Sequence, residues 1–230
     1  MPDRPTLLLT RPARQAQAFL AALSAELGRE PAHHISPVLQ IAPVAFEDPG
    51  APQALLFTSA NGVSAFTSQH AAADRMAYCV GDSTAEAARA AGFVARSAAG
   101  DVDKLVERII ADLDPAAGPL VHISGDHVAG DLVEVLRNAG FDARRRVAYT
   151  QQPQSLDATA RDLLRSGPVV APLFSPRSAM IFAEQVAAIH PVDLTTIAIS
   201  QDAAVEGVGL TLIAPEPSRK GMIAALRPHL

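Results

Sequence analysis

Apolar positions along this chain alternate between two rhythms. Residues 6–10 form a short apolar run, and Ala16, Phe19, Leu20, Leu23 and Leu27 then recur at helical spacing up to Gly28. That order predicts a strand followed by a helix that glycine stops. The pattern returns as strand 54–57 with a helix from about Asn61, strand 76–80 with helix 84–91 before Gly92, and strand 120–123 with helix 129–139 before Gly140. The last third adds strand 169–174 with a helix to Ile189, strand 196–199 with a short helix, and a final helix near 218–226. Strands alternating with helices predict an α/β fold of parallel sheets covered by helices on both faces.

The pattern also repeats internally. Phe57-Thr58-Ser59-Ala60-Asn61-Gly62 with Phe66 resembles Phe174-Ser175-Pro176-Arg177-Ser178 with Phe182. Val80-Gly81-Asp82-Ser83-Thr84-Ala85 resembles Ile199-Ser200-Gln201-Asp202-Ala203-Ala204 at nearly the same offset. A strand-turn-helix written twice, each time with the same later companion, predicts two similar lobes. Two extended runs with prolines nearby, 35–43 and 146–153, break the alternation and are the natural crossing points. The expected division is residues 1–36 plus 152–230 as one lobe, 44–145 as the other, and 37–43 and 146–151 as linker strands.

Composition narrows the chemistry. With 49% hydrophobic and 19% charged residues in 230, the chain has the apolar content to fold as a globule. A net charge of −5, no Trp, two Tyr and eight Phe argue against a nucleic-acid partner. The lone Cys79 sits in the apolar run Ala77-Tyr78-Cys79-Val80, as a buried structural residue would. The short apolar run near the start is too brief for a signal or membrane segment, so a soluble cytoplasmic protein is expected.

Ligands of parallel α/β sheets bind beyond the carboxyl ends of strands, where helix N-termini present spare N–H groups. The turn Thr58-Ser59-Ala60-Asn61-Gly62 falls at such a place, with hydroxyls, an amide and a glycine allowing close backbone approach. The helix behind it favours a carboxylate or phosphate. Ser175, Arg177 and Ser178 offer the same with a guanidinium suited to forked contacts. Ordinary helix capping explains any one of these turns. Taken with Thr10-Arg11, Thr84, Ser124-Gly125 and Ser200-Gln201, they also outline a polar cleft between the lobes. Tyr149, in the second crossing segment, is either a packing residue or a phenol able to give a proton within that cleft.

Other chemistries lack their marks. The chain has no G-x-G-x-x-G, Walker loop or G-x-S-x-G, and its histidines show no metal-ligand spacing. Arg144-Arg145-Arg146 reads as a solvated cluster at a strand edge.

The ordered set of motifs resembles the uroporphyrinogen-III synthase family. It comprises Leu9-Thr10-Arg11-Pro12, Leu56-Phe57-Thr58-Ser59-x-Asn61-Gly62, Val80-Gly81-Asp82-x-Thr84-Ala85, Ser124-Gly125-Asp126 with Leu136 and Gly140, Val147-x-Tyr149, Phe174-Ser175-Pro176 and the close from Pro215 to Met222. The resemblance implies two α/β lobes joined by a two-stranded antiparallel ladder, with no cofactor. It implies cyclisation of hydroxymethylbilane, a linear tetrapyrrole with eight carboxylates, with loss of water and inversion of ring D through a spiro intermediate. It also implies Tyr149 as the group assisting departure of the hydroxyl, with Thr58, Ser59, Thr84 and Ser175 lining the site. The sequence departs at Ser200-Gln201-Asp202-Ala203, where the family often has glycine, proline and paired threonines, so a hydroxyl contact from Ala203 is not available. A monomer is expected, with transient hand-over of substrate from hydroxymethylbilane synthase. The alternative is a non-catalytic two-lobed binding protein for a small anionic metabolite, using the same helix ends without Tyr149.

Overall fold

A computed structural model describes residues 4–128, 130–191 and 193–230. In chain order the elements are β1 (Thr6–Leu9), α1 (Ala13–Leu27), β2 (His33–Ile35), β3 (Leu39–Pro43), β4 (Ala54–Phe57), α2 (Ala60–Thr67), β5 (Met76–Cys79), α3 (Asp82–Ala90), β6 (Val94–Ser97) and α4 (Val102–Asp112). There follow β7 (Leu120–Gly125), α5 (Leu132–Asn138), β8 (Ala143–Pro153), α6 (Ala158–Ser166), β9 (Pro168–Leu173), α7 (Pro176–Ala187), β10 (Asp193–Ala198), β11 (Leu210–Ile213) and α8 (Arg219–Leu226). The chain divides into one compact unit of Met1–Gln40 with Gln152–Leu230 and a second of Ile41–Gln151.

The first unit holds a five-stranded sheet in the order β11-β10-β9-β1-β2, and every pairing in it is parallel. Side chains one residue apart on a strand face opposite ways, and β1 uses this directly. Leu7 and Leu9 pack with Phe19 and Leu23 of α1 and Met222 and Leu226 of α8. Leu8 packs on the other face with Leu164 of α6 and Phe182 and Val186 of α7. Three consecutive leucines with no exposed surface therefore mark a strand covered on both sides.

The second unit repeats that plan. Its sheet runs β3-β8-β7-β4-β5-β6, with parallel pairings from β8 to β6. Leu55 and Phe57 meet Phe66 of α2 and Ala85 and Ala88 of α3, while Ala54 and Leu56 meet Leu105 and Ile109 of α4 and Leu136 of α5. β3 is the exception in direction. The Val44 N–H donates to the Ala148 carbonyl at 2.8 Å and the Gln154 N–H to the Val38 carbonyl at 2.8 Å, so β3 and β8 run antiparallel. The α/β architecture is thus the one the periodicity predicts, with β9 and β4 central in matching positions.

The structure revises several elements. The run 35–43 is not one strand: Ile35 ends β2, and β3 begins only at Leu39. The predicted helix 129–139 begins at Leu132 after an Asp131 cap, and Ala129 lies outside the described residues. The short helix after β10 is only a 3-10 turn at Gln201–Ala203. β6 and β11 escape the apolar reading because each is an edge strand with exposed apolar residues, Val94 at 48% and Leu210 at 58%. α6 escapes it because it buries only Ala160 and Leu164.

Candidate functional site

Each sheet carries a serine at the end of its central strand. In the second unit Ser59 follows β4 in extended conformation, φ −156° and ψ 146°, and its hydroxyl accepts the Asn61 N–H at 3.1 Å. In the first unit Ser175 follows β9 at φ −157° and ψ 149°, and its hydroxyl accepts the Ser178 N–H at 3.3 Å. Ser175 and Ser178 also share a hydroxyl–hydroxyl bond of 2.7 Å. These are true N-caps, so the helix N–H groups beyond them point out past the strand ends.

The other predicted turns differ. Thr10 is buried at 2% and gives its carbonyl to the Val38 N–H, and α1 starts from Pro12 with no side-chain cap. Thr84 is not a cap but lies within α3, whose cap is Gly81. Ser124 and Gly125 belong to β7, and the next helix is six residues beyond Asp126 at Leu132, so no helix end stands behind that turn. Ser200 precedes only the 3-10 turn, which removes the helix-dipole argument for Ser200 and Gln201. Gly62 makes a close approach, but to protein: a Cβ there would lie 2.7 Å from the Ile123 carbonyl oxygen, so it seats α2 on β7.

Around Ser59 the second unit gathers further groups. A shift of register at Ser124/Gly125 pairs Val147 with Ser124 and Tyr149 with Gly125, leaving one residue of β8 extra. This brings the Tyr149 ring against Gly125, where a Cβ would come 2.6 Å from Cε2. Tyr149 is 4% exposed, and its phenol is hydrogen-bonded to Ser59 and to the Gly125 backbone. Burial raises the phenol above the ordinary tyrosine range, so it stays protonated at neutral pH.

Two residues that the sequence did not point to complete this cluster. His122, 3% exposed, stands with Nε2 3.2 Å from the Thr58 hydroxyl. Burial, and then the charge of Arg145, lower its pKa to about 4, so it is a neutral imidazole. Arg145 is not the solvated edge residue expected. Its Nε donates to the Ser124 hydroxyl at 2.8 Å and its Nη2 to the carbonyls of Gly125 at 2.5 Å and Asp126 at 2.9 Å. A polar residue inside the apolar run Leu120-Val121-His122-Ile123 was the available signal for His122. Arg145 had none, because three arginines in a row do not tell which one turns inward.

In the first unit Arg11 lies 4.0 Å above the centre of the Phe174 ring, next to Ser175. Its Nη2 reaches Gln15 Oε1 at 3.4 Å, and its buried Nε has no hydrogen-bond partner among the described residues. Burial, with a further contribution from Arg219, lowers its pKa to about 10. Thr58, Ser59, Asn61, Ser124, Gly125 and Tyr149 therefore group at one sheet end, and Thr10, Arg11, Ser175, Arg177 and Ser178 at the other. Among the described residues no three His, Cys, Asp or Glu side chains are grouped as for a metal, and no helix is long and apolar enough to cross a membrane.

Comparison with known proteins adds a name for this arrangement. In solved structures the chain is similar to uroporphyrinogen-III synthetase from Helicobacter pylori 26695, with 16% identity and a TM-score of 0.64 over 98% of this chain and 99% of that one. It is also similar to a mutant uroporphyrinogen III synthase from the extreme thermophile Thermus thermophilus, with 13% identity and a TM-score of 0.54 over 98% of each chain. At these identities the likeness speaks for the fold. No curated protein sequence matches the chain significantly. The family model for uroporphyrinogen-III synthase HemD matches residues 18–224, from within α1 to within α8 and so through both sheets, and the chain belongs to that family.

Proposed function

We propose that this chain cyclises hydroxymethylbilane to uroporphyrinogen III, with Tyr149 as proton donor and the two serine-capped turns as carboxylate anchors. The observation that carries the assignment of roles is the buried phenol held at the Ser59 cap. The first step breaks the bond between the terminal carbon and its hydroxyl, which leaves as water once it has taken a proton and leaves an azafulvene cation. Burial keeps the phenol protonated at neutral pH, so the proton is present to be given to the departing hydroxyl. Ring D then attacks through its substituted carbon to give the spiro intermediate, and the macrocycle closes with ring D inverted.

Little further chemistry is asked of the protein, because the linear tetrapyrrole also closes unaided, head to tail. Orientation is the contribution required. In this reading Ser59, Asn61 and the N–H groups of α2 hold carboxylates at one sheet, and Ser175, Arg177, Ser178 and the start of α7 hold others. Thr58, Thr84, Ser124, Gly125, Thr10, Ser200 and Gln201 border the substrate, the last two through backbone groups. The enzyme works without a cofactor, as a monomer in the cytoplasm, and takes its labile substrate directly from hydroxymethylbilane synthase.

The test is to supply enzymatically made hydroxymethylbilane and separate the cyclised isomers. The inverted isomer is expected with wild type, and turnover should fall at least tenfold in Tyr149→Phe with the melting temperature nearly unchanged. Accumulation of the uninverted isomer alone, at the rate without protein, ends the reading in favour of a binding protein. Full turnover in Tyr149→Phe reduces the phenol to packing.

A further inference from the structure

Arg11 is placed for an anionic partner that the described residues do not provide. Its guanidinium lies over Phe174, its side-chain bond to Gln15 is long at 3.4 Å, and its Nε is unmatched among the described residues. A buried donor left unmade and a cation taken from water are both costly. The usual remedy is a carboxylate, yet no described acid pairs with Arg11. The charge that does act on it is another cation, Arg219, at the start of α8. Glu216, three residues earlier, turns instead onto the Ser218 hydroxyl at 2.7 Å. Arg11 keeps part of its surface and Arg219 is exposed.

A structural arginine is placed differently, as Arg145 shows by directing its donors onto three protein acceptors. We propose that Arg11 and Arg219 form an oxyanion locus of the first unit, which takes a carboxylate of the substrate beside the Ser175 turn. The like charges repel, and a bound oxyanion converts that repulsion into two attractions. Arg11 offers a planar fork to the two oxygens, which a lysine in its place does not reproduce. The substrate part of this inference rests on the cyclase reading, whereas binding of a simple oxyanion does not.

Inorganic phosphate is the probe. Full-length wild type, Arg11→Lys, Arg11→Met and Arg219→Met are melted in phosphate and in chloride of matched ionic strength, and KM and kcat for hydroxymethylbilane are measured on the same preparations. Phosphate at ten times its Kd should raise the wild-type melting temperature by about 4 °C. Arg219→Met should lose most of that rise while melting no lower than wild type in chloride, since a repulsion has been removed. Arg11→Lys should lose part of the rise and raise KM about tenfold with kcat within about twofold. If Arg11→Met fails to fold, the other two variants carry the test. An equal phosphate shift in all variants, or none in wild type, overturns the locus even when cyclisation is normal. A phosphate shift of the expected pattern without cyclisation keeps the locus and removes the cyclase reading.

Discussion

At the end of β4 the chain runs Phe57-Thr58-Ser59 into α2, and at the end of β9 it runs Leu173-Phe174-Ser175 into α7. The two serines share backbone angles to within 3° in each of φ and ψ, and both cap their helices. What lies behind them differs. Thr58 bonds a buried neutral histidine, and the nearby cation, Arg145, is consumed by Ser124, Gly125 and Asp126. Phe174 instead supports Arg11, a cation whose Nε has no partner among the described residues. Repetition has kept the backbone that presents N–H groups and changed the side chains around it. One copy uses its arginine to hold a turn, and the other leaves its arginine to the ligand.

That contrast predicts unequal responses to equivalent damage. The largest effect should come from Gly125→Ala, because a Cβ at 2.6 Å from the Tyr149 ring forces that ring away from Ser59. Overpacking of this kind costs about 3 kcal/mol, and urea unfolding together with cyclisation rates should show stability and turnover falling together. A turnover loss without loss of stability would mean that the ring shifts freely.

Next is the pH response of His122. Its folded pKa of about 4 lies below the ordinary value of 6.5, so the unfolded chain takes up the proton first as pH falls. Stability is full above about 6.5 and falls as the pH drops toward 4, by up to about 3 kcal/mol over that window. His122→Gln should flatten this part of the stability profile. An unchanged slope would assign acid sensitivity elsewhere.

Arg145→Met should cost about 2 kcal/mol through three acceptors left to find other donors. It should also raise the histidine pKa, because Arg145 is one cause of its depression, and NMR titration of the imidazole would read this directly. Arg11→Met should give no such stability loss if Arg11 serves a ligand. Smallest is the pair of Ser59→Ala and Ser175→Ala, each costing about 1 kcal/mol as a lost cap. Equal losses of stability with a deeper loss of turnover for Ser59→Ala, whose hydroxyl meets the Tyr149 phenol, would separate capping from chemistry.

Much of this was legible along the chain. Leu7-Leu8-Leu9 and Ala54-Leu55-Leu56-Phe57 read as strands because both of their faces are buried, and the α1 pattern of Ala16, Phe19, Leu20 and Leu23 is the face that α1 buries. The repeated serine turn, Ser59 with Phe66 and Ser175 with Phe182, was visible because the same backbone task, ending a central strand and capping a helix, asks for the same residue twice. Edge strands and weakly apolar helices were not visible, since β6, β11 and α6 bury too little to set a rhythm.

Local sequence thus determined the alternation of elements, the central strands and the two serine caps, all of which depend on neighbours three or four residues away. Tertiary structure alone decided that Tyr149 meets Ser59 and Gly125, that Arg145 turns inward among three identical residues, that His122 is neutral, and that Arg11 has Arg219 rather than an acid for a neighbour. The reason is physical: a side chain's charge state and hydrogen-bond partners depend on what other strands and helices bring within a few ångströms, and spacing along one strand carries no record of that.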